Sequence, residues 1–189
     1  MRAGRNFEGY TKAADSTKKV LHDVFAKGDS WFRTGDLMRR DRHGYFYFVD
    51  RIGDTFRWKG ENVAASEVAE ALSTIPGIRE VNVYGVKVPG ADGRAGMAAL
   101  VADDGFDLAG LAARLEDHLP SYARPAFLRL QPEIEVTGTF KQRKVDLVME
   151  GFDPGVIAEP LYWLDPQSGR YEKLTSARYD DIIHDRVKL

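Results

Sequence analysis

The stretch Asp50-Arg51-Ile52-Gly53-Asp54-Thr55-Phe56-Arg57-Trp58-Lys59-Gly60-Glu61-Asn62-Val63 separates two kinds of sequence. Just upstream, Tyr45-Phe46-Tyr47-Phe48-Val49 is an aromatic, β-branched run too strand-prone for a helix. It follows a turn at Asp41-Arg42-His43-Gly44 and a strand at Trp31-Phe32-Arg33-Thr34. Asp50 to Asp54 interrupts that run. Thr55-Phe56-Arg57-Trp58 then opens a short hairpin turning at Lys59-Gly60-Glu61-Asn62. Further upstream, Val20, Leu21, Val24 and Phe25 recur at one-turn spacing, which predicts a helix from Asp15 to Phe25, capped by Asp15 or Ser16.

Downstream of the divide, helical and strand patterns alternate. Ser66 to Ile75 carries Val68, Ala71, Leu72 and Ile75 on one face, and Pro76-Gly77 stops it. Residues 79–88 read as a valine-rich strand with Val81 and Val83 inward, and Met97 to Ala102 as a small-residue strand. Asp107 is placed to cap a helix reaching Leu119, and Phe127-Leu128-Arg129-Leu130 reads as a strand. A helix is expected from about Lys141 to Glu150, then a hairpin from Leu161 to Leu174 and a short helix near Tyr179. The predicted fold class is α+β: a small mixed sheet flanked by helices, preceded by a short β-rich segment. The expected division is residues 1–52 and residues 53–189. A partial element followed by a whole domain reads as a piece of a longer protein.

Composition narrows the function. The 189 residues carry 27 Lys and Arg against 29 Asp and Glu, a net charge of -2, with the two signs interspersed. This is not the basic footprint of a nucleic-acid binder. There is no cysteine, so there is no thiolate nucleophile or disulfide. No apolar run approaches the roughly 20 residues that cross a bilayer. The expected location is cytoplasmic, with peripheral membrane association left open. His22, His43, His118 and His184 lack metal-ligand spacing, so no metal site is expected from them.

Three places could carry chemistry. Asp36 follows Thr34-Gly35, and a carboxylate after a glycine turn can accept hydrogen bonds from two ribose hydroxyls; it can equally be a solvated turn residue. Arg51, at a strand end, can hold a ribose or phosphate with its fork of donors or make a surface ion pair, and Gly53 beside it is free to rotate. Lys141 follows Thr137-Gly138-Thr139-Phe140 at a predicted helix start, where the dipole disfavours a cation, which suits an anionic ligand; a solvated lysine is the plainer alternative, with Arg143 and Lys144 as rival cations.

Taken in order, Thr34-Gly35-Asp36, Asp50-Arg51, Lys59-Gly60-Glu61-Asn62-Val63 with Glu67, and Thr137-Gly138-Thr139-Phe140-Lys141 resemble the closing motifs of the adenylate-forming enzymes. The wording of residues 28–36 and 50–63, with Glu150-Gly151-Phe152-Asp153-Pro154, is similar to the branch of fatty-acid transport proteins and very-long-chain acyl-CoA synthetases. The resemblance runs from about Phe7 to the C-terminus. It implies that residues 1–52 end a large adenylate-binding domain and residues 53–189 form a mobile lid. It implies ATP, a fatty acid and CoA as reactants, with Mg2+ bound mainly by the large N-terminal domain, which is also the lid's partner. Asp36 and Arg51 would then hold the ribose, and Gly53 would be the hinge, where many relatives have Asp or Lys. Gly60 would line the CoA tunnel, and Lys141 would be the adenylation lysine, stabilising charge that grows in the transition state.

The Ser/Thr/Gly-rich phosphate loop, the magnesium glutamate and the acyl pocket of that family are not found in these residues. The expectation is therefore that the 189 residues alone are inactive. Two other readings stand beside it: a non-catalytic interaction module that keeps the lid fold, and a ligase for another acid, such as a bile acid.

Overall fold

The computed structural model describes residues 20–51, 54–133 and 144–189. The chain divides into two compact units, Met1–Gly53 and Asp54–Leu189.

In the first unit, strand β1 (Val20–His22) pairs antiparallel with β2 (Ser30–Phe32), Val20 opposite Phe32 and His22 opposite Ser30. The helix expected through Phe25 is therefore not formed over Val20 to Phe25. The reason is Asp29. Its buried carboxylate accepts the backbone N–H groups of Val24, Phe25 and Ala26 at 2.8, 3.0 and 3.0 Å, and the Trp31 indole N–H at 2.7 Å. Those amides are satisfied by one side chain and the segment curls around it as a loop. A second hairpin pairs β3 (Asp36–Arg40) with β4 (Phe46–Arg51). Its turn is held by Asp41, which accepts from the N–H groups of His43 and Tyr45 and from the Tyr47 hydroxyl. β4 continues through Asp50 and Arg51, so the interruption expected from Asp50 does not fall on those two residues.

The second unit is α+β, as expected. β5 (Thr55–Trp58) and β6 (Glu61–Ala64) form a hairpin. Helix α1 (Ala65–Ser73) leads to β7 (Ile78–Val86), β8 (Ala95–Ala102), α2 (Leu111–Glu116) and β9 (Phe127–Leu130). Then come α3 (Lys144–Glu150), β10 (Leu161–Asp165), β11 (Arg170–Lys173) and α4 (Ser176–Ile183). The five-stranded sheet has the order β11-β10-β9-β8-β7. Only the β8–β9 pair is parallel, which makes the sheet mixed.

Both faces of the sheet are covered. Val83 is buried as expected and Val81 is half-buried, but Asn82 and Tyr84, on the opposite face of β7, are buried as well. One face receives Phe56 and the Leu111 and Leu115 side of α2. The other carries Phe127, stacked on Phe152 at 4.2 Å, and Trp163, with the Arg178 guanidinium 4.9 Å from its ring centre. Helix α2 is shorter than its pattern predicts. Asp107 accepts from the Gly110 N–H at 3.0 Å and pairs with Arg114, so it organises the turn before the helix rather than capping its first residue.

The hairpin β5–β6 is keyed into the sheet by small residues. Gly85 and Gly96 are cross-strand partners, and a Cβ at Gly85 would come within 2.7 Å of Phe56. At Gly93, with φ of 89°, a Cβ would lie 2.1 Å from the Arg57 carbonyl oxygen. The neighbouring Arg94 N–H donates to that same carbonyl at 2.7 Å. Glycine is the residue that allows this approach. No helix among the described residues is long and apolar enough to cross a membrane.

Candidate functional site

Asp36 opens β3, directly after Gly35, whose φ of 78° lies in the left-handed region. Its N–H donates to the Thr34 hydroxyl at 3.1 Å, so Thr34-Gly35-Asp36 is a hydroxyl-closed turn that presents Asp36 half-buried at a strand end. Arg51 closes β4, and the register places it opposite Asp36. One ladder step on, Leu37 faces Asp50, while Met38 faces Phe48, which leaves Val49 as the extra residue of a β-bulge. Two positions singled out 15 residues apart in sequence are thus brought together at the open end of one hairpin.

Gly60 lies at the tip of the β5–β6 hairpin. Lys59 and Gly60 have φ of 50° and 86°, the two left-handed residues of a two-residue turn whose twist matches the strands it joins. Glu61 and Asn62, expected in the turn, belong to β6. Gly60 is exposed, and a Cβ there would meet nothing within 4 Å. The turn borders a groove of about 420 Å3 whose other walls include Val88, Pro89, Ile182 and Val187, with Lys59 and Lys188 at its edge.

Lys141 and Gly53 lie outside the described residues. Downstream of Lys141, helix α3 starts at Lys144, whose amine lies 3.5 Å from the carboxylate of Asp54, the residue after Gly53.

Two features fall outside the residues that the sequence marks for chemistry. Asp29 is one: the Trp31 indole N–H, aided by three backbone N–H groups and opposed by burial, holds its carboxyl at about 2. Arg129 is the other. It is 6% exposed, on β9, and its guanidinium binds Glu150, the last residue of α3, and Glu159 at 2.7 Å. Glu159 also accepts from Gln131 at 3.3 Å. Burial works against the charge on Arg129, yet the two carboxylates raise its pKa further; burial likewise opposes the lowering of Glu159, which the Arg129 hydrogen bond brings about. A lone arginine in Phe127-Leu128-Arg129-Leu130 gives no sequence signal for such a cluster. Among the described residues no cluster of histidines and carboxylates could hold a metal ion.

Residues 67–141, a span that ends on Lys141, match the AMP-binding enzyme C-terminal domain family. Over 186 residues the chain is 50% identical to long-chain fatty acid transport protein 2 of Rattus norvegicus, covering 97% of this chain and 30% of that protein. Identity to long-chain fatty acid transport protein 3 of Homo sapiens is also 50%, over 97% of this chain and 27% of that one. The chain thus spans less than a third of the length of these curated relatives. Among solved structures, o-succinylbenzoate CoA synthetase (MenE) from Bacillus subtilis, in complex with its acyl-adenylate intermediate OSB-AMP, matches 74% of this chain and 28% of its own, with TM-score 0.63 and 25% identity. The amide bond synthetase McbA from Marinactinospora thermotolerans matches 75% of this chain and 28% of its own, with TM-score 0.60 and 32% identity. The chain thus carries an AMP-binding enzyme C-terminal domain over residues 67–141, is similar along nearly its whole length to long-chain fatty acid transport proteins, and shares its fold with adenylate-forming enzymes.

Proposed function

We propose that this chain is the ribose-holding end and the mobile lid of a long-chain or very-long-chain fatty-acid–CoA ligase, which converts ATP, a fatty acid and CoA into acyl-CoA, AMP and pyrophosphate. The observation that carries the reading is the order of Asp36, Arg51, Gly60 and Lys141 along a chain of this family, with Asp36 and Arg51 opposite one another on a single ladder. The residues fit their ligands in kind. A carboxylate at a strand end is an acceptor for paired hydroxyls, and a guanidinium position across from it is a donor for the same sugar. An open left-handed turn at Lys59-Gly60 lets a slender chain pass close to backbone.

In this reading the work divides between two orientations of the lid. In the first, Lys141 lies against the reacting carboxylate and the α-phosphate oxygens, where its fixed positive charge offsets the negative charge that builds as the acid oxygen bonds to phosphorus and pyrophosphate leaves. In the second, the lid turns about Gly53 and Lys141 withdraws. The Lys59-Gly60 turn then borders the path by which the CoA thiol reaches the acyl carbonyl, and AMP departs as the thioester forms. The magnesium ion and the acyl pocket belong to the large domain, so the 189 residues alone do not turn over.

The deciding experiment separates the half-reactions in the longer enzyme that carries this chain. Lys141→Ala should lower acyl-adenylate formation by about 10²–10³ or more while leaving thioester formation from supplied acyl-adenylate intact. Equal loss in both half-reactions would show that Lys141 is not the adenylation lysine.

A further inference from the structure

We infer that the second unit holds a bound water molecule in its interior, gripped by Asn82, Tyr84 and Arg129 beneath α3. Asn82 lies between Val81 and Val83 and is only 1% exposed. The register sets Asn82 opposite Ala99, Ala99 beside Arg129, and Arg129 opposite Leu161, so these side chains form one row across β7, β8, β9 and β10. The next row on the same face is Tyr84, Met97, Phe127 and Trp163. Helix α3, whose last residue Glu150 binds Arg129, packs against β7 and closes this face off from solvent.

Among the described residues, Asn82 Nδ2 and Oδ1, Tyr84 Oη and Arg129 Nε have no hydrogen-bond partner, and all three residues are buried. The terminal nitrogens of Arg129 are engaged by Glu150 and Glu159, which leaves Nε as its remaining donor. Burial pushes the Tyr84 hydroxyl pKa up and the Arg129 charge opposes that rise, so the two groups lie close together. Buried polar atoms left unpaired are costly, and native interiors pair them with protein or with ordered water. The chemistry of the set selects the occupant. It offers donors at Asn82 Nδ2 and Arg129 Nε, an acceptor at Asn82 Oδ1, and a hydroxyl that does both. Arg129 already faces two carboxylates, so the site does not call for an anion, and the two N–H donors would repel a cation. A neutral molecule that both donates and accepts fits, and a buried water needs two to four such partners. The size agrees. β7 and β9 are two strand spacings apart, about 9–10 Å, and the small Ala99 between them leaves room above the sheet. One water spans about 5–6 Å between two hydrogen-bond partners.

Water-selective NOE and ROE spectra of the isotope-labelled 189-residue chain test this, because a true contact and a chemical exchange differ in sign in the ROE. The Asn82 side-chain NH2 protons and the Arg129 Nε–H should both show contacts to the water resonance, with the NOE sign of a water that tumbles with the protein. Tyr84→Phe removes a hydroxyl whose exchange can mimic such a contact; the Asn82 signal should survive it, since Asn82 and Arg129 remain as partners. Asn82→Leu puts an apolar side chain of similar size in the row, and the contact at Arg129 Nε–H should then vanish. A crystal structure of the wild-type chain should show an ordered water within hydrogen-bonding distance of Asn82 and Arg129. No contact at either group in the wild type, its loss in Tyr84→Phe, or its persistence at Arg129 in Asn82→Leu would overturn the proposal. So would density in which the Asn82 amide bonds directly to protein groups. The wild-type spectra and crystal structure decide the matter even where a variant fails to fold.

Discussion

Asp36 and Arg51 face each other across the β3–β4 ladder as the last register pair before the chain leaves the first unit. If both hold one ribose, their contributions to nucleotide binding are coupled. In the longer enzyme, Asp36→Ala and Arg51→Ala should each raise the KM for ATP by about tenfold, the scale of a hydrogen bond to a charged group. The double variant should lose less than the product of the two. Strict multiplication of the effects would mean that the two residues act on different parts of the substrate.

Gly60 calls for a controlled substitution, because its φ of 86° strains any side chain whatever space surrounds it. Gly60→Ala introduces the strain alone, about 1–2 kcal/mol. Gly60→Trp adds bulk. The CoA half-reaction should therefore fall much further in Gly60→Trp than in Gly60→Ala, with adenylation spared in both. Equal losses would assign the effect to backbone strain and take the turn away from the CoA path.

The Asp29 carboxyl, held at about 2, stabilises its loop only while ionised. A depressed folded-state pKa means that this stability is complete above the ordinary value of 3.8 and drains away as pH falls through about 2. The NMR cross-peak of the Trp31 indole N–H, which donates to this carboxylate, should titrate with its midpoint near 2. A midpoint at 3.8 would show the carboxyl to be unperturbed.

Gly93→Ala should destabilise the second unit by about 2–4 kcal/mol in urea unfolding, since it adds overpacking to a left-handed backbone. Gly90→Ala is the control: its φ is 78° but a Cβ there meets nothing within 4 Å. The difference between the two variants isolates the contact with the Arg57 carbonyl. A Gly93 variant no less stable than the Gly90 one would mean that the hairpin can move off the sheet freely.

Periodicity made most of the second unit legible. The strands β7 to β11 and the helices α1 and α4 fall close to where the sequence pattern puts them: α1 buries one helical face, and the strands are short apolar runs bounded by turn residues, with β7 and β8 buried on both faces. The segment from Val20 to Phe25 was not legible. Its apolar residues recur at helical spacing, but the competing partner for their backbone is the carboxylate of Asp29, a tertiary fact in a local disguise. The Asp36–Arg51 pairing depends on a bulge that apolar pattern does not announce. The Arg129 cluster draws on residues 21 and 30 positions away, too far for any local rule to connect.

The seating of Phe56 between Gly85 and Gly96, with Gly93 beneath Arg57, bears on how such enzymes can be recombined. The hairpin that bears Lys59 and Gly60 and the glycines that receive it form one fitted part, although some 20 residues of chain, including α1, run between them. A chimera joined within residues 65–84 would pair one parent's aromatic plug with another parent's socket, and a single alanine or serine in that socket would force the plug out. Junctions placed before Thr55 keep plug and socket from the same ancestor, and those are the crossovers that should yield folded hybrids.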